Sequence, residues 1–166
     1  MTRTSDRTVT IEQRIKSSNK INSADLFISI HANSSGRKSI SGIETFCLND
    51  SLFRFGPRGC GPASKKVIDS RRALQYRKGH RLARSLQKSV YHLARKSNPQ
   101  ATDRGVKFAV PRTLLGVDIP GALIEVGFLS NKKEASKLLQ KKYRQQIAQG
   151  ICFGIVSYFE QQKNTT

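Results

Sequence analysis

The sequence lacks features that mark several common classes of protein. Its 166 residues include no tryptophan, one methionine and three cysteines. Apolar runs end after about six residues, far short of the roughly 20 that a membrane-spanning helix needs, so no transmembrane segment is expected. The first ten residues contain no apolar stretch, so we expect no secretory signal peptide within this chain.

The number and spacing of the cysteines argue against a cysteine metal site and a disulfide-stabilised fold. Cys47, Cys60 and Cys152 are widely spaced and odd in number, so they form neither a CxxC metal motif nor a disulfide framework. Cys47 and Cys152 lie in apolar stretches, which predicts that both are buried. Cys60 lies in the segment FGPRGCGP, which is typical of a loop.

Acidic residues are scarce, since 11 of them face 30 lysines and arginines and leave a net charge of +19. Such a field favours polyanions such as nucleic acid, anionic lipid headgroups or acidic cell-wall polymers. A solvated basic surface without a partner explains the net charge equally well. Zinc-finger spacing, a glycine-rich phosphate loop and paired aromatic residues are all missing, so nucleic acid is the least favoured partner.

Hydrophobic periodicity predicts strands that alternate with helices. Strands are expected at 24–30, 42–48, 105–110 and 120–127, and helices from about 10, at 64–96, from 131 and at 143–159. This order predicts a single α/β domain with a mostly parallel sheet flanked by helices. We expect the domain to cover residues 1–160, with a basic loop or insertion at 50–76 and a polar tail at 161–166.

Two polar residues stand at the predicted carboxyl ends of buried strands. His31 directly follows the apolar run ADLFISI, and Glu125 interrupts the run ALIEV. Ligands bind beyond the carboxyl ends of the strands in open α/β sheets. A neutral imidazole is a common zinc ligand, and a glutamate beside an attacking water can accept its proton.

The residues alone leave other interpretations open. His31 could be a structural histidine, and Glu125 could pair with one of the many basic residues. His80 and His92 lie twelve residues apart on one predicted helix, about 18 Å along its axis, so they cannot bind one ion together. A catalytic zinc normally has three protein ligands, so His31 and Glu125 do not by themselves make a zinc site.

Two motifs carry a specific family resemblance. SADLFISIHAN and, much later, PGALIEVGFLSNKKEASKLL together resemble the zinc-dependent N-acetylmuramoyl-L-alanine amidases of the LytC/AmiC type, the amidase-3 family. The similarity extends over nearly the whole chain and is weakest at 50–76. It implies a hydrolase that cuts the amide bond between N-acetylmuramic acid and L-alanine in peptidoglycan, during cell-wall remodelling or lysis.

The resemblance also implies roles for residues, a cofactor and a location. His31 corresponds to a zinc ligand and Glu125 to the catalytic glutamate. The substrate would be peptidoglycan or a muropeptide, with an associated anionic cell-wall polymer as a further partner. The complete protein would act outside the cytoplasm, in the periplasm or cell envelope.

The chain departs from the family at its start. The family's D-P-G-H-G-G-like motif and the glutamate on the helix after it supply two zinc ligands, and neither occurs here. The resemblance therefore implies an N-terminally truncated amidase domain that lacks the family's first strand, its first helix and most of its second strand. We therefore expect the chain alone to be inactive. The alternative is a catalytically dead basic module that binds peptidoglycan or another polyanion.

Four further residues near these motifs have structural interpretations. Glu44 lies in a strand and is expected to be a paired carboxylate rather than a replacement metal ligand. Asn33 would orient the site loop or form an Asx-turn. Arg14 is expected in a structural ion pair, and Asn131 as the cap of a helix.

Overall fold

A mixed four-stranded sheet organises the chain. The computed structural model describes residues 1–21, 24–49 and 62–163, with side chains described outside 62–71. The elements in chain order are α1 (Ile11–Asn19), β1 (Phe27–Asn33), β2 (Ile43–Cys47), α2 (Pro62–Ser97), β3 (Asp103–Phe108), β4 (Gly121–Phe128), α3 (Lys132–Leu139) and α4 (Lys141–Lys163).

The strand order is β1-β4-β2-β3. The β1–β4 and β2–β3 pairs are parallel, whereas β2 runs antiparallel to β4. The expected α/β fold with a mostly parallel sheet is therefore confirmed. Because β2 is reversed, it begins at the edge of the sheet where β1 and β4 end.

The main core lies between one face of the sheet and helices α2 and α4. The predicted apolar stripe of α2 is confirmed, since Leu82, Leu86 and Val90 are fully buried. In β4, Ile124 and Val126 point into this core. Side chains alternate along a strand, so Glu125 between them points to the opposite face.

The opposite face of the sheet is covered more thinly. Its apolar cluster has three buried members, Leu48, Leu114 and Leu123. Helix α1 opens with a capping box in which Thr10 and Gln13 bond to each other's backbone, as expected for a helix starting near residue 10. The site described below lies on this thinly covered face.

Several expectations about segment ends are wrong. Helix α2 runs from Pro62 to Ser97, which confirms the helix predicted at 64–96 and makes the loop or insertion expected at 50–76 helical from residue 62. Residues 50–61, with Cys60, lie outside the described residues. Helix α4 extends to Lys163, which makes the first half of the expected tail helical. Strand β3 begins two residues before its predicted start.

The two other cysteines differ in burial. Cys47 is fully buried in the core, as predicted. Cys152 is exposed, which contradicts the prediction, because α4 turns Gly150, Ile151 and Gly154 toward the core and Cys152 away from it.

In the part of the chain that the structure describes, no helix is long and apolar enough to cross a membrane.

Helices α2 and α4 approach so closely that glycine is required between them. A Cβ atom on Gly150 would lie 2.7 Å from the Val90 Cα, and one on Gly154 would lie 2.9 Å from the Leu86 Cα. Both neighbours are backbone atoms that cannot rotate away. The helix pair therefore depends on these two positions for its spacing.

We predict that Gly150→Ala lowers the free energy of unfolding by about 1–3 kcal/mol, because the added methyl group forces the helices apart. In an unconstrained helix the same change stabilises, since alanine has the higher helix propensity. Gly36→Ala is the control, because nothing lies within 4 Å of its Cβ position. Urea denaturation measures both, and an unchanged or higher stability of Gly150→Ala would contradict the close approach.

Candidate active site

Three titratable residues form one row across the sheet. In the strand register His31 of β1 is the partner of Glu125 of β4, and Glu125 is also the partner of Glu44 of β2. Directly paired residues place their side chains on the same face of a sheet. The structure therefore brings together the two site residues that the sequence predicts, His31 and Glu125, and adds Glu44.

His31 lies on the outer strand of the row. Its Nε2 atom shares a hydrogen bond with Ser29 Oγ at 2.9 Å. Partial burial, reinforced by the positive charge of Arg14, lowers the pKa of His31 below its usual range. The imidazole is therefore neutral at pH 7, which is the form that binds metal ions or accepts protons.

Glu125 occupies the centre of the row and is half-buried. Its Oε2 atom is buried and has no hydrogen-bond partner among the described residues. Burial, and then the negative charge of Glu44, raise the pKa of Glu125 from 4.5 to about 7. A carboxyl group with a pKa near neutrality can both accept and release a proton, as a general acid–base group must.

Glu44 has the opposite environment although it is more deeply buried. Its Oε2 accepts hydrogen bonds from Arg104 Nε at 2.7 Å and from Lys107 Nζ, and its Oε1 accepts one from Asn33 Nδ2 at 2.8 Å. Burial acts to raise the pKa of Glu44, but the bonds from Lys107 and Arg104 outweigh it and lower the pKa. The predicted paired carboxylate is confirmed.

Asn33 and Arg14 lie near the row, and the structure shows the hydrogen bonds that each of them forms. Asn33 donates its amide N–H to Glu44 Oε1 at 2.8 Å, and its Oδ1 accepts the N–H of the next residue, Ser34, at 2.7 Å rather than the i+2 bond of an Asx-turn. Arg14 donates to the Val9 carbonyl and to Thr2 Oγ1, each at 3.2 Å. Among the described residues Arg14 forms no ion pair, so the predicted pair is not found there.

Glu134 is a positioning residue that the sequence reasoning missed. Its Oε1 accepts the Gly42 N–H at 2.9 Å and its Oε2 the Phe128 N–H at 2.7 Å, so it ties the start of β2 to the end of β4. Asn131 caps α3, as predicted, by accepting the Lys133 and Glu134 N–H groups. The Asn131–Glu134 spacing was the available signal, but it indicated only a capping box.

The described residues do not complete a three-ligand zinc site. No cluster of three or more histidine, cysteine, aspartate or glutamate side chains suited to a metal occurs among them. Glu44 is committed to its basic partners. His80 lies against the Phe108 ring, at the end of β3 remote from the row, and His92 is exposed on α2. His31 is therefore one ligand candidate without its partners.

Comparison with known proteins assigns this geometry to a family. Residues 1–157 match the Amidase_3 family of N-acetylmuramoyl-L-alanine amidases. The chain belongs to this family. The resemblance carried by the motifs around His31 and Glu125 is thereby confirmed, and the family as a whole uses zinc.

Two relatives from Bacillus subtilis show how much of a family member this chain covers. It is 32% identical over 159 residues to the uncharacterized protein YqiI of Bacillus subtilis (strain 168), covering 96% of the chain and 63% of YqiI. It is also 32% identical over 161 residues to the N-acetylmuramoyl-L-alanine amidase LytC of the same strain, covering 96% of the chain and 26% of LytC. The chain thus spans less than two thirds of either relative.

A solved structure supports the fold. The catalytic domain of CwlV, an N-acetylmuramoyl-L-alanine amidase from Bacillus (Paenibacillus) polymyxa var. colistinus, superimposes with a TM-score of 0.69 at 29% identity. The match covers 96% of this chain and 70% of the CwlV chain. The fold of the amidase domain is therefore shared over the whole region that carries the row.

We predict that Glu125→Gln stabilises the metal-free chain at pH 8 but not at pH 4. The raised pKa means that the folded state binds this proton more tightly than the unfolded state, so stability falls as pH rises from about 4.5 to about 7. The glutamine variant escapes that loss, which amounts to about 2 kcal/mol after allowing for partial solvent exposure. Urea titrations in EDTA measure it, with the exposed Glu160→Gln as control; equal pH profiles for wild type and Glu125→Gln would refute the prediction.

We predict that Glu134→Gln lowers the free energy of unfolding by about 1–3 kcal/mol, because the amide leaves one of the two backbone N–H groups without an acceptor. Amide chemical shifts of Gly42 and Phe128 should move most, since their hydrogen bonds change directly. Glu12→Gln removes the same charge from an exposed position, where substitutions usually change stability little. A Glu134→Gln variant as stable as Glu12→Gln would show that the link between β2 and β4 is dispensable.

Proposed function

We propose that this chain provides the proton-transfer part of an N-acetylmuramoyl-L-alanine amidase centre that hydrolyses the amide between N-acetylmuramic acid and L-alanine in peptidoglycan. The observation that carries the proposal is the free, half-buried Glu125 carboxyl paired across the sheet with His31. Family membership supplies the reaction class. Peptidoglycan lies outside the cytoplasmic membrane, so the activity requires an extracytoplasmic location.

In this reaction Glu125 moves a proton twice. Its unpartnered Oε2 accepts a proton from the attacking water as the water oxygen bonds to the amide carbon. When the carbon–nitrogen bond breaks, the same carboxyl delivers that proton to the leaving nitrogen of L-alanine. The products are a free carboxylate on the muramic acid and a free amine on the peptide. A pKa near neutrality suits both transfers.

The other members of the row flank Glu125 and shape its electrostatic environment. Glu44 is neutralised by Arg104 and Lys107, which limits the repulsion between the two adjacent carboxylates. His31 would serve as one ligand of the zinc ion that the family uses. The described residues do not supply the remaining ligands, so we derive no step through the metal.

Because the described residues offer His31 as one zinc ligand without its partners, we make a prediction for the isolated 166-residue chain. One histidine ligand gives weak binding, because zinc sites gain their affinity from several preorganised ligands. We expect no stoichiometric zinc at micromolar concentration in a competition with a chromophoric chelator, and no release of amines from purified sacculi. Stoichiometric zinc together with turnover would contradict this expectation.

A chimera tests the proposed catalytic role. The chain replaces its matching region in the CwlV catalytic domain, so the remaining third of that domain comes from CwlV. We expect the chimera to release amines from sacculi, and Glu125→Gln to lower kcat by about 10²–10⁴-fold while zinc content stays unchanged. His31→Ala should lower zinc content as well as activity. Glu160→Gln is the charge-matched control, and full activity of the Glu125→Gln chimera would overturn the assignment.

A second candidate function is a basic module that binds peptidoglycan without cutting it. The incomplete ligand set among the described residues favours this candidate for the isolated chain. A sacculus pulldown distinguishes the two. Binding that depends on Glu125 would favour a substrate cleft at the row, whereas binding that is indifferent to Glu125 and falls steeply with salt would favour surface charge.

A further inference from the structure

A trough lies at the end of the sheet where β1 and β4 end and β2 begins. Two cavities of about 450 and about 620 Å³ share the lining residues Asn98, Gln100, Lys132 and Lys133. They lie between the first turn of α3, the α2–β3 connection and the segment that precedes β2. Because the cavities share one wall, they form two lobes of a single trough.

The trough carries positive charge without a matching negative charge. Lys38, Lys132, Lys133 and Lys137 line it, and none of them forms an ion pair among the described residues. Lys137 Nζ donates to the neutral Ser97 carbonyl at 2.9 Å. Glu134 is the one acid among the described lining residues, and its two oxygens accept the Gly42 and Phe128 N–H groups.

The remaining lining residues suit a polar anion. Serine and amide side chains surround the lysines and offer hydrogen-bond donors and acceptors: Ser39, Ser41, Ser97, Asn98, Gln100, Asn131 and Ser136. The described lining residues include no aromatic ring on which a nucleobase could stack. This composition favours carboxylates or phosphates on a carbohydrate or peptide chain over nucleic acid.

The trough is a short distance from the row. Ser41 lines the trough and precedes Glu44 by three residues, which is at most about 11 Å along an extended chain. Glu134 also lines it and bonds to Phe128, three residues after Glu125. A polymer that presents its amide bond to Glu125 can therefore reach the trough with a neighbouring anionic group.

We propose that this trough binds an anionic group, a carboxylate or a phosphate, of the cell-wall polymer and so retains the polymer beside the row. The inference rests on the proposed function for the identity of the polymer. The carboxylates of the stem peptide and the phosphodiesters of an attached polymer share the required chemistry. The lysines act as point charges on a flexible stem, which suits either source.

A pulldown on purified sacculi of Bacillus subtilis tests the proposal with the 166-residue chain. The trough variant is Lys38→Gln/Lys132→Gln/Lys133→Gln. The control is Lys20→Gln/Lys88→Gln/Lys142→Gln, which removes the same charge from three exposed lysines outside the trough. Circular dichroism verifies that both variants fold. We expect the trough variant to bind about tenfold more weakly than the control, the effect of three ordinary exposed ion pairs.

A second preparation of sacculi distinguishes the two anionic groups that the trough could bind, peptide carboxylates and polymer phosphates. Sacculi whose phosphate polymers have been removed with hydrofluoric acid form the second arm. A deficit of the trough variant that persists there assigns the site to peptide carboxylates, and one that disappears assigns it to phosphates. Equal binding by trough and control variants on both preparations would overturn the proposal. Binding does not depend on turnover, so an inactive chimera with a selective trough deficit would refute the proposed function alone.

Discussion

The reversed pairing of β2 against β4 is the constraint on which the site depends. If β2 ran parallel to β4, its first residues would lie at the opposite edge of the sheet, far from the ends of β1 and β4. The antiparallel register instead makes Glu44 the partner of Glu125, with His31 on the other side. The bonds from Glu134 to Gly42 and Phe128 hold this arrangement where β2 begins and β4 ends.

Two adjacent carboxylates acquire different properties from this arrangement. Glu44 is surrounded by Arg104, Lys107 and Asn33, which stabilise its charge. Burial and then the charge of Glu44 favour the protonated form of Glu125, whose buried Oε2 has no partner among the described residues. Neighbouring carboxyl groups whose environments move their pKa values apart are a general arrangement for acid–base chemistry. On this face of the sheet, Glu44 therefore stays ionised, whereas Glu125 can exchange a proton near neutral pH.

Much of the fold could be predicted from local patterns. The stripe of Leu82, Leu86 and Val90 specified the buried face of α2, and the motif ending in Asn131 specified the start of α3. Errors occurred where local patterns are ambiguous. Cys152 stands in an apolar stretch, but its side of α4 is set by the glycine contacts with α2. The helix predicted at 64–96 begins at Pro62, directly after the glycines and prolines that made the start of this segment ambiguous.

The sequence by itself determined that His31 and Glu125 lie on two strands and that the family motifs surround them. Only the tertiary structure decided which residues share their row. Glu44, Arg104 and Lys107 are separated from Glu125 by long stretches of chain, and strand order and direction bring them together. Hydrogen bonds between strands depend on packing against α2 and α4, so no local pattern encodes them. The role of Glu134 follows for the same reason, because one of its donors, Gly42, directly precedes β2 and the other, Phe128, ends β4.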